Sequence, residues 1–517
     1  MGINSKNILE DINNKIRNRE IFKLNRAFLV KSLVIASTKV QYMSFIYSQN
    51  MNMADQVIAQ FKAILKFIFS NDNENGIVPN RDDEVISEFS KMILEFVDNY
   101  TPIRNYLDQC IIGTREIQFD EENKIYYEEN YDAYSNYARM LDKVKEFPNE
   151  ELKQKSFNRV GSYLSANRFK PSLFKDRYLY ALMKDYKEIC WMDSEIKFDH
   201  DFGDFTYEEL ISFCAALKIM ADYYSFMMMK DPCPVIGYES LVYGIARLSD
   251  LSKEKVKFFL KYQTYDYEYQ NDKLSLIQGL IRCGDNYYFY PTTLNIGMLP
   301  VKMYRLIVDY DKEKYKKDIS VIANQKEKQM TEEIVEKLKK YDLNIKLNHR
   351  IKNGTKDLAE YDMLAFDNKT NNLYICEFKW YFIGDGEKEH KRLDEKIEEA
   401  IEHRKEKDRY ILDNPQSISD RLFDGKKINK IYEILISQNF SGNTKHSMPV
   451  IDFETLQWSV ERHEIFEELM NYFLTDEFRE SIQVDTETRD YDIEGYKFKF
   501  YCMVMKRDVQ KLCLDLQ

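Results

Sequence analysis

Glycine and proline are scarce, 16 and 10 in 517 residues. That argues against collagen-like, linker-dominated and turn-dense architectures. The eight cysteines, at 110, 190, 214, 233, 283, 376, 502 and 513, form no CxxC pair and share no ligand spacing with the six histidines. They read as small apolar residues of a reducing compartment, neither disulfides nor a zinc site. The opening MGINSKNILEDINNKIRNRE lacks the apolar centre of a signal peptide, and Lys6 stands where a myristoylation pattern needs Ser or Thr. The most apolar run, Ala27 to Ile46, is broken by Lys31 and Lys39, so no membrane span is expected. The expectation is a cytoplasmic protein. A basic excess is also lacking: 75 Lys and Arg face 87 Asp and Glu, a net charge of −12. Any nucleic-acid binding must therefore use a local basic surface or a metal.

What is present is a helix-rich, globular composition, 44% hydrophobic, long enough for two to four domains. From residue 8 to about 230 the apolar period is helical. Val57, Ile58, Phe61, Ile64, Leu65 and Ile68 line one face, and Val85, Ile86, Phe89, Met92, Ile93, Phe96 and Val97 another, with a polar loop at 70 to 80 between them. Residues 113 to 131 suggest a hairpin. The abundant Tyr and Phe could stack bases, but at helical spacing they read better as core. A helix from Tyr207 to Met229 stops at the breaker Lys230–Pro234, and two short helices follow, Glu239 to Leu248 and Lys253 to Tyr262. A helix-turn-helix with Lys253, Lys255 and Lys257 towards phosphates is one reading. An ordinary corner with a solvated lysine face is the one the sequence favours. Leu280 to Tyr290 reads as a hairpin turning at Gly284-Asp285-Asn286.

Beyond residue 310 the order changes. A charged helix from Lys312 to Tyr341 leads to a strand, Asn344 to Ile351, a turn at Asn353-Gly354, and two strands within 358 to 380, LAEYDMLAFDNKTNNLYICEFKW. A loop with Gly384 and Gly386, then a helix with Leu393, Ile397, Ala400 and Ile401 on one face, precede a parallel strand at Ile428 to Ser437 and a short one at Pro449 to Phe453. A helix at Glu461 to Phe473 and a strand-like tail at Tyr496 to Met505 are expected to pack around this core.

Alternation places Leu373, Ile375, Glu377 and Lys379 on one face of the second central strand, and Glu360, Asp362, Leu364 and Phe366 on one face of the first. Pairing across the turn brings Asp362 beside Glu377. Charges in a greasy strand must be paired or liganded, because desolvating them costs several kcal/mol. Glu-x-Lys recurs elsewhere, at Glu151 and Glu195, but only Glu377-Phe378-Lys379 follows an apolar strand and an acidic strand and precedes an amphipathic helix. An edge hairpin with a solvated ion pair, worth about 0.5 kcal/mol, is the plain alternative.

Asp362 followed 15 residues later by Glu377-x-Lys379 resembles the PD-(D/E)XK nuclease superfamily, the restriction-endonuclease-like fold. The αβββαβ order extends the resemblance over about residues 325 to 455. It implies an α+β multidomain chain, with a mainly helical region over 1–310, of one subdomain or of two with a break near 230, and a nuclease domain over 311–517. It further implies Asp362, Glu377 and Lys379 as catalytic residues, and Mg²⁺, or Mn²⁺ in its place, on Asp362, Glu377 and the Phe378 carbonyl. The family's additional helix acid falls best on Glu332, with Glu333 and Glu336 as rivals, and Glu360 is a supporting acid or a solvent-facing one. The position before Asp362 is Tyr361 where the family often has Pro, and the following helix lacks the Gln of exonuclease-like members. Lys391, Arg392 and Lys396 could touch a phosphate backbone or equally be helix-surface solubilisers. The implied partner is nucleic acid, DNA before RNA, in prokaryotic restriction or antiviral defence, with the N-terminal half recognising, sensing or assembling with a protein partner or a second copy. A binding or scaffold protein that keeps a nuclease-like fold without turnover is the alternative.

Overall fold

The computed structural model describes residues 4–48, 51–129, 155–162, 179, 181–227, 235–266, 278–295, 299–353, 356–382, 387–439, 446–475 and 484–505. The architecture is mixed α/β, with three sheets among these residues. The expected breaker at 230–234 and Gly354, Gly384 and Gly386 lie outside them.

The N-terminal layer is built from α1 (Ser5–Arg17), α2 (Arg26–Ser48), α3 (Met51–Phe69), α4 (Asp82–Glu95) and α5 (Thr101–Ile112). Asn4 caps α1 by accepting from the Asn7 N–H, and Ile8, Ile12 and Ile16, one per turn, are buried. The apolar stripes of α3 and α4 meet in the same core, as their period predicts. Strands β1 (Gln118–Asp120) and β2 (Ile125–Tyr127) form the expected hairpin.

A second group begins with α6 (Met183–Met192), α7 (Tyr207–Met227), β3 (Val235–Ile236), α8 (Tyr238–Ser249) and α9 (Lys253–Gln263). It continues with β4 (Thr264–Tyr265), the hairpin β5 (Leu280–Cys283) and β6 (Asn286–Phe289), and α10 (Leu299–Tyr310). Its helices share one core with the elements that follow.

Those elements are α11 (Lys312–Leu338), β7 (Leu343–Asn353), β8 (Lys356–Asp367), β9 (Asn372–Trp380), α12 (Glu387–Asp413), α13 (Pro415–Leu422), β10 (Lys430–Gln438) and β11 (Val450–Asp452). The five strands make one sheet in the order β11-β10-β9-β8-β7. β8 pairs antiparallel with β7 on one side and β9 on the other; β10 lies parallel to β9 and β11 parallel to β10. Helices cover both faces. Leu364, Phe366, Leu373 and Ile375 pack with Ile411, Ile418 and Phe423. Met363, Ala365, Tyr374, Cys376 and Phe378 face the other way, into the core that holds Met330, Ile334 and Leu338 of α11. The alternation expected of β8 and β9 is thus realised, and the element order helix, three strands, helix, strand is present. No helix among the described residues is long and apolar enough to cross a membrane.

Two expectations change. The helix expected at Glu461 to Phe473 is two, α14 (Phe453–Arg462) and α15 (Phe466–Leu474), because His463 and Ile465 are extended. The tail forms a hairpin, β12 (Val484–Ile493) and β13 (Tyr496–Met505), but it does not pack around the five-stranded sheet. Instead β13 pairs with β2 in parallel, Phe498 opposite Tyr126. Tyr491, Ile493, Phe498 and Phe500 complete the N-terminal core, with Tyr106 stacked on Phe500 at 4.4 Å between centroids. Arg115 clamps this join, donating to the Glu128 carboxylate and, at 2.8 Å, to the Tyr501 carbonyl.

Candidate functional site: an acidic pair, a lysine and a buried arginine

The backbone ladder between β8 and β9 runs from Asp367–Asn372 to Met363–Cys376. At the next position the Asp362 side chain takes over: its Oδ2 accepts the Phe378 N–H at 2.8 Å. Asp362 and Glu377 therefore stand at adjoining positions of the two central strands. Lys379 follows on the Glu377 face, and its Nζ lies 2.8 Å from Glu377 Oε1. The lysine also donates to the Phe378 carbonyl at 3.1 Å. Asp362, Glu377 and Lys379, the three catalytic candidates, are brought together.

Two further side chains complete the cluster. From α12, Arg404 Nη1 donates to Glu377 Oε2 at 2.5 Å, and Nε donates to Asp408 Oδ2 at 2.9 Å. The guanidinium is buried, 4.5 Å from the centre of the Tyr361 ring, and its Nη2 has no hydrogen-bond partner. From α11, Glu327 Oε1 accepts the Trp380 N–H at 3.2 Å, while Oε2 lies 3.6 Å from Lys379 Nζ.

Glu327 corrects the assignment of the helix acid. Glu332 is exposed, 3.8 Å from Lys328 on its own helix; Glu333 bonds to Gln457 and Glu336 to Lys339. The helical period explains the difference. Glu327 lies four residues before buried Thr331 and seven before buried Ile334, on the stripe that faces the sheet, whereas Glu332 falls on the opposite side. Glu360 is likewise not in the cluster: it is exposed and forms a cross-strand ion pair with Arg350 at 3.1 Å. Of the outer cations, Lys391 donates to the Ile112 carbonyl at the end of α5. Arg404 and Asp408 were unforeseen, yet a faint signal exists: Ile397, Ile401, Arg404, Asp408 and Ile411 fall on one helical stripe, and in the structure all five are buried.

The charges interact strongly. Burial raises the Asp362 pKa, and the nearby Glu377 charge raises it further. Burial opposes the Glu377 charge too, but Lys379 and Arg404 outweigh it and hold that carboxyl below its ordinary range. Lys379 is driven up despite burial by Glu377 and Glu327, so it stays protonated. Burial raises Glu327. Asp408 is pushed up to about 7, first by burial and then by Glu433, against the pull of Arg404.

Two carboxylates and a backbone carbonyl are hard oxygen donors in the number Mg²⁺ commonly takes from protein. In donor type the set suits such an ion, although Lys379 and Arg404 engage both Glu377 oxygens and Lys379 the Phe378 carbonyl. No group of three or more His, Cys, Asp or Glu side chains placed to hold a metal occurs among the described residues. No family model, curated protein or solved structure matches the chain.

Proposed function

We propose that the protein is a divalent-metal-dependent nuclease that hydrolyses phosphodiester bonds, DNA before RNA, with its site at Asp362, Glu377 and Lys379. The observation that carries this reading is the meeting of these three side chains at the end of the β8–β9 ladder. The resemblance to the PD-(D/E)XK superfamily supports it, as does the order of elements around the sheet.

Mg²⁺, or Mn²⁺ in its place, would be held by Asp362, Glu377 and the Phe378 carbonyl, and would supply Lewis acidity and a lowered pKa for a bound water. The chain's own groups do the rest. Lys379, kept cationic by Glu377 and Glu327, is suited to stabilise negative charge developing on the phosphoryl group. It is a poor general base for the same reason. Glu327 ties Lys379 and the Trp380 backbone to α11, and Arg404 fixes the orientation of Glu377. The N-terminal half would recognise substrate, sense a trigger or mediate assembly, in restriction or antiviral defence.

One observation favours the second reading, a nucleic-acid-binding or scaffold protein without turnover. Both Glu377 oxygens are engaged by Lys379 and Arg404, and the Phe378 carbonyl by Lys379. A closed ionic network of this kind can be structural. The deciding experiment incubates linear, circular and single-stranded DNA, and RNA, with Mg²⁺ or Mn²⁺ and wild type, Lys379→Ala or Asp362→Ala protein. Cleavage by wild type alone supports the nuclease; equal cleavage by the variants removes the site assignment; inert wild type favours the scaffold.

A further inference from the structure

Helices α8 and α9 are joined by three residues. Asp250 ends α8 in the left-handed region, φ 61°, ψ 22°. Leu251 packs against the main core, and Ser252 caps α9 by accepting the Lys255 N–H at 3.2 Å. A three-residue connection is of the length a helix-turn-helix uses, as an ordinary αα corner also does. The surrounding strands add to it. β3 precedes α8, the β5–β6 hairpin follows α9, and the three lie side by side in the order β3-β6-β5, each pair antiparallel. A helix, a short strand, two helices and a returning hairpin thus form one unit from Tyr207 to Phe289.

The faces of α9 are sharply divided. Val256, Phe259 and Leu260 are buried in the core. Lys255 turns inward, to the Asp204 carbonyl at 2.6 Å and Glu209 at 2.7 Å. Lys253, Lys257 and Lys261 are exposed and recur every fourth residue, a line of about 12 Å at the helical rise. Arg247 and Tyr243 of α8 are exposed beside this line, with Lys253 Nζ 5.8 Å from the Tyr243 ring. Acids are present as well: Glu254 on α9 and Asp250 in the turn are exposed, Asp311 shares a cleft with Lys261, and Glu239 pairs with Lys257 at 3.2 Å. That pair is solvated on both sides, and such exposed pairs are weak. In a chain of net charge −12, the second helix of this unit carries four lysines to one glutamate, a basic stripe with acids at its rim.

We propose that this unit docks on double-stranded DNA, with α9 in the major groove and Lys253, Lys257 and Lys261 against phosphates. The B-form major groove, about 12 Å wide, admits a helix, whereas the deep, narrow A-form groove does not. The partner is therefore duplex DNA. This deepens the proposed function by naming the substrate form, and rests on it only in taking DNA as the substrate; docking requires neither metal nor cleavage.

The test measures binding of the full chain to a labelled DNA duplex, the matching RNA duplex and single-stranded DNA by fluorescence anisotropy, in EDTA, over a salt series. Wild type is compared with Lys253→Glu/Lys257→Glu/Lys261→Glu, with the same three changed to Gln, and with Lys6→Glu/Lys23→Glu/Lys91→Glu, which changes net charge equally at exposed sites elsewhere. Each variant is checked for a wild-type melting profile. Duplex DNA is expected to bind best. The α9 Glu variant should lose at least about tenfold in affinity, and the Gln variant should flatten the logarithmic salt slope by about 2–3; the remote variant stays near wild type. Absence of duplex binding by wild type, equal loss in both Glu variants, or preference for RNA or single strands overturns the proposal. Binding with this pattern in a protein that never cleaves leaves the docking intact and removes the nuclease reading; cleavage indifferent to the α9 changes, with unaltered binding, does the reverse.

Discussion

Arg404 and Glu377, 27 residues apart, are joined by the 2.5 Å bond that ties α12 to the central strand β9. The same guanidinium holds Asp408, so one cation serves two buried acids. Removing it with Arg404→Ala leaves Asp408 without its cation and Glu377 with Lys379 alone, and the loss of a buried ion partner typically costs about 3–5 kcal/mol. Lys379→Ala leaves Arg404 on Glu377 and should cost clearly less. Urea unfolding of the two variants tests the ranking; equal stability of Arg404→Ala and wild type would show that the pair is not structural.

The proposed chemistry separates from stability at Lys379. If its charge acts on the phosphoryl group, Lys379→Ala should lower kcat by about 10²-fold or more, with a smaller change in KM, as for loss of a single preorganised donor. Asp362→Ala should be similarly impaired. Thermal melts of both variants show whether lost activity reflects chemistry or unfolding. A Lys379→Ala protein that turns over at the wild-type rate would exclude the assigned role.

Glu327 and Glu332 offer a paired comparison on one helix. Glu327→Gln removes the carboxylate beside Lys379 while leaving an oxygen for the Trp380 N–H. The expected result is a rate reduced about 10- to 100-fold, as for residues that orient a metal site's inner ligands. Glu332→Gln, on the exposed side, should change stability by no more than about 0.5 kcal/mol and leave the rate untouched. The reverse ranking would restore the assignment read from sequence.

That reversal shows which information the sequence carried. The strands were legible because two-residue alternation sorts Asp362, Glu377 and Lys379 from Met363, Cys376 and Phe378 without knowledge of anything else. The helix acid was harder. Glu327, Glu332, Glu333 and Glu336 all lie in one charged helix, and choosing among them requires knowing which stripe faces the sheet. Buried Ile322, Lys326, Met330 and Thr331 define it only after folding. The Arg404–Asp408 pair was hidden differently: on a helix crowded with Lys and Glu, two charges on the apolar stripe resemble their solvated neighbours. The C-terminal strand Tyr496–Met505 was legible but its hairpin mate Val484–Ile493 was not, and the partner β2 lies more than three hundred residues away, a pairing of which local pattern says nothing.

A divalent ion that binds the folded state must raise its stability. At a concentration 100-fold above Kd the gain is about 2.7 kcal/mol. Millimolar Mg²⁺ or Mn²⁺ is therefore expected to raise the wild-type melting temperature, and Asp362→Asn to abolish the shift. Because the Asp362 carboxyl holds its proton above the ordinary range, cation and proton compete there, and the shift should grow as pH rises. A shift of the same size in Asp362→Asn would place the ion elsewhere.

Asp408 makes stability depend on pH with a definite sign. Its folded pKa of about 7 exceeds the unfolded value of about 3.9, so the folded state binds the proton more tightly. The stabilisation from that proton is complete below about pH 4 and is lost as pH rises towards and through 7. Asp408→Asn removes the titration and keeps the shape. Wild-type stability minus that of Asp408→Asn should therefore fall between pH 4 and pH 7 or slightly above, by about 4 kcal/mol as an upper bound, and then level off. Groups distant from the site cancel in the difference. Glu433 does not, since it shares the proton's surroundings, and Glu433→Gln should narrow the interval by letting Asp408 ionise earlier. A difference that is flat, or that grows with pH, would mean that Arg404 keeps Asp408 ionised and that the pair is an ordinary buried salt bridge.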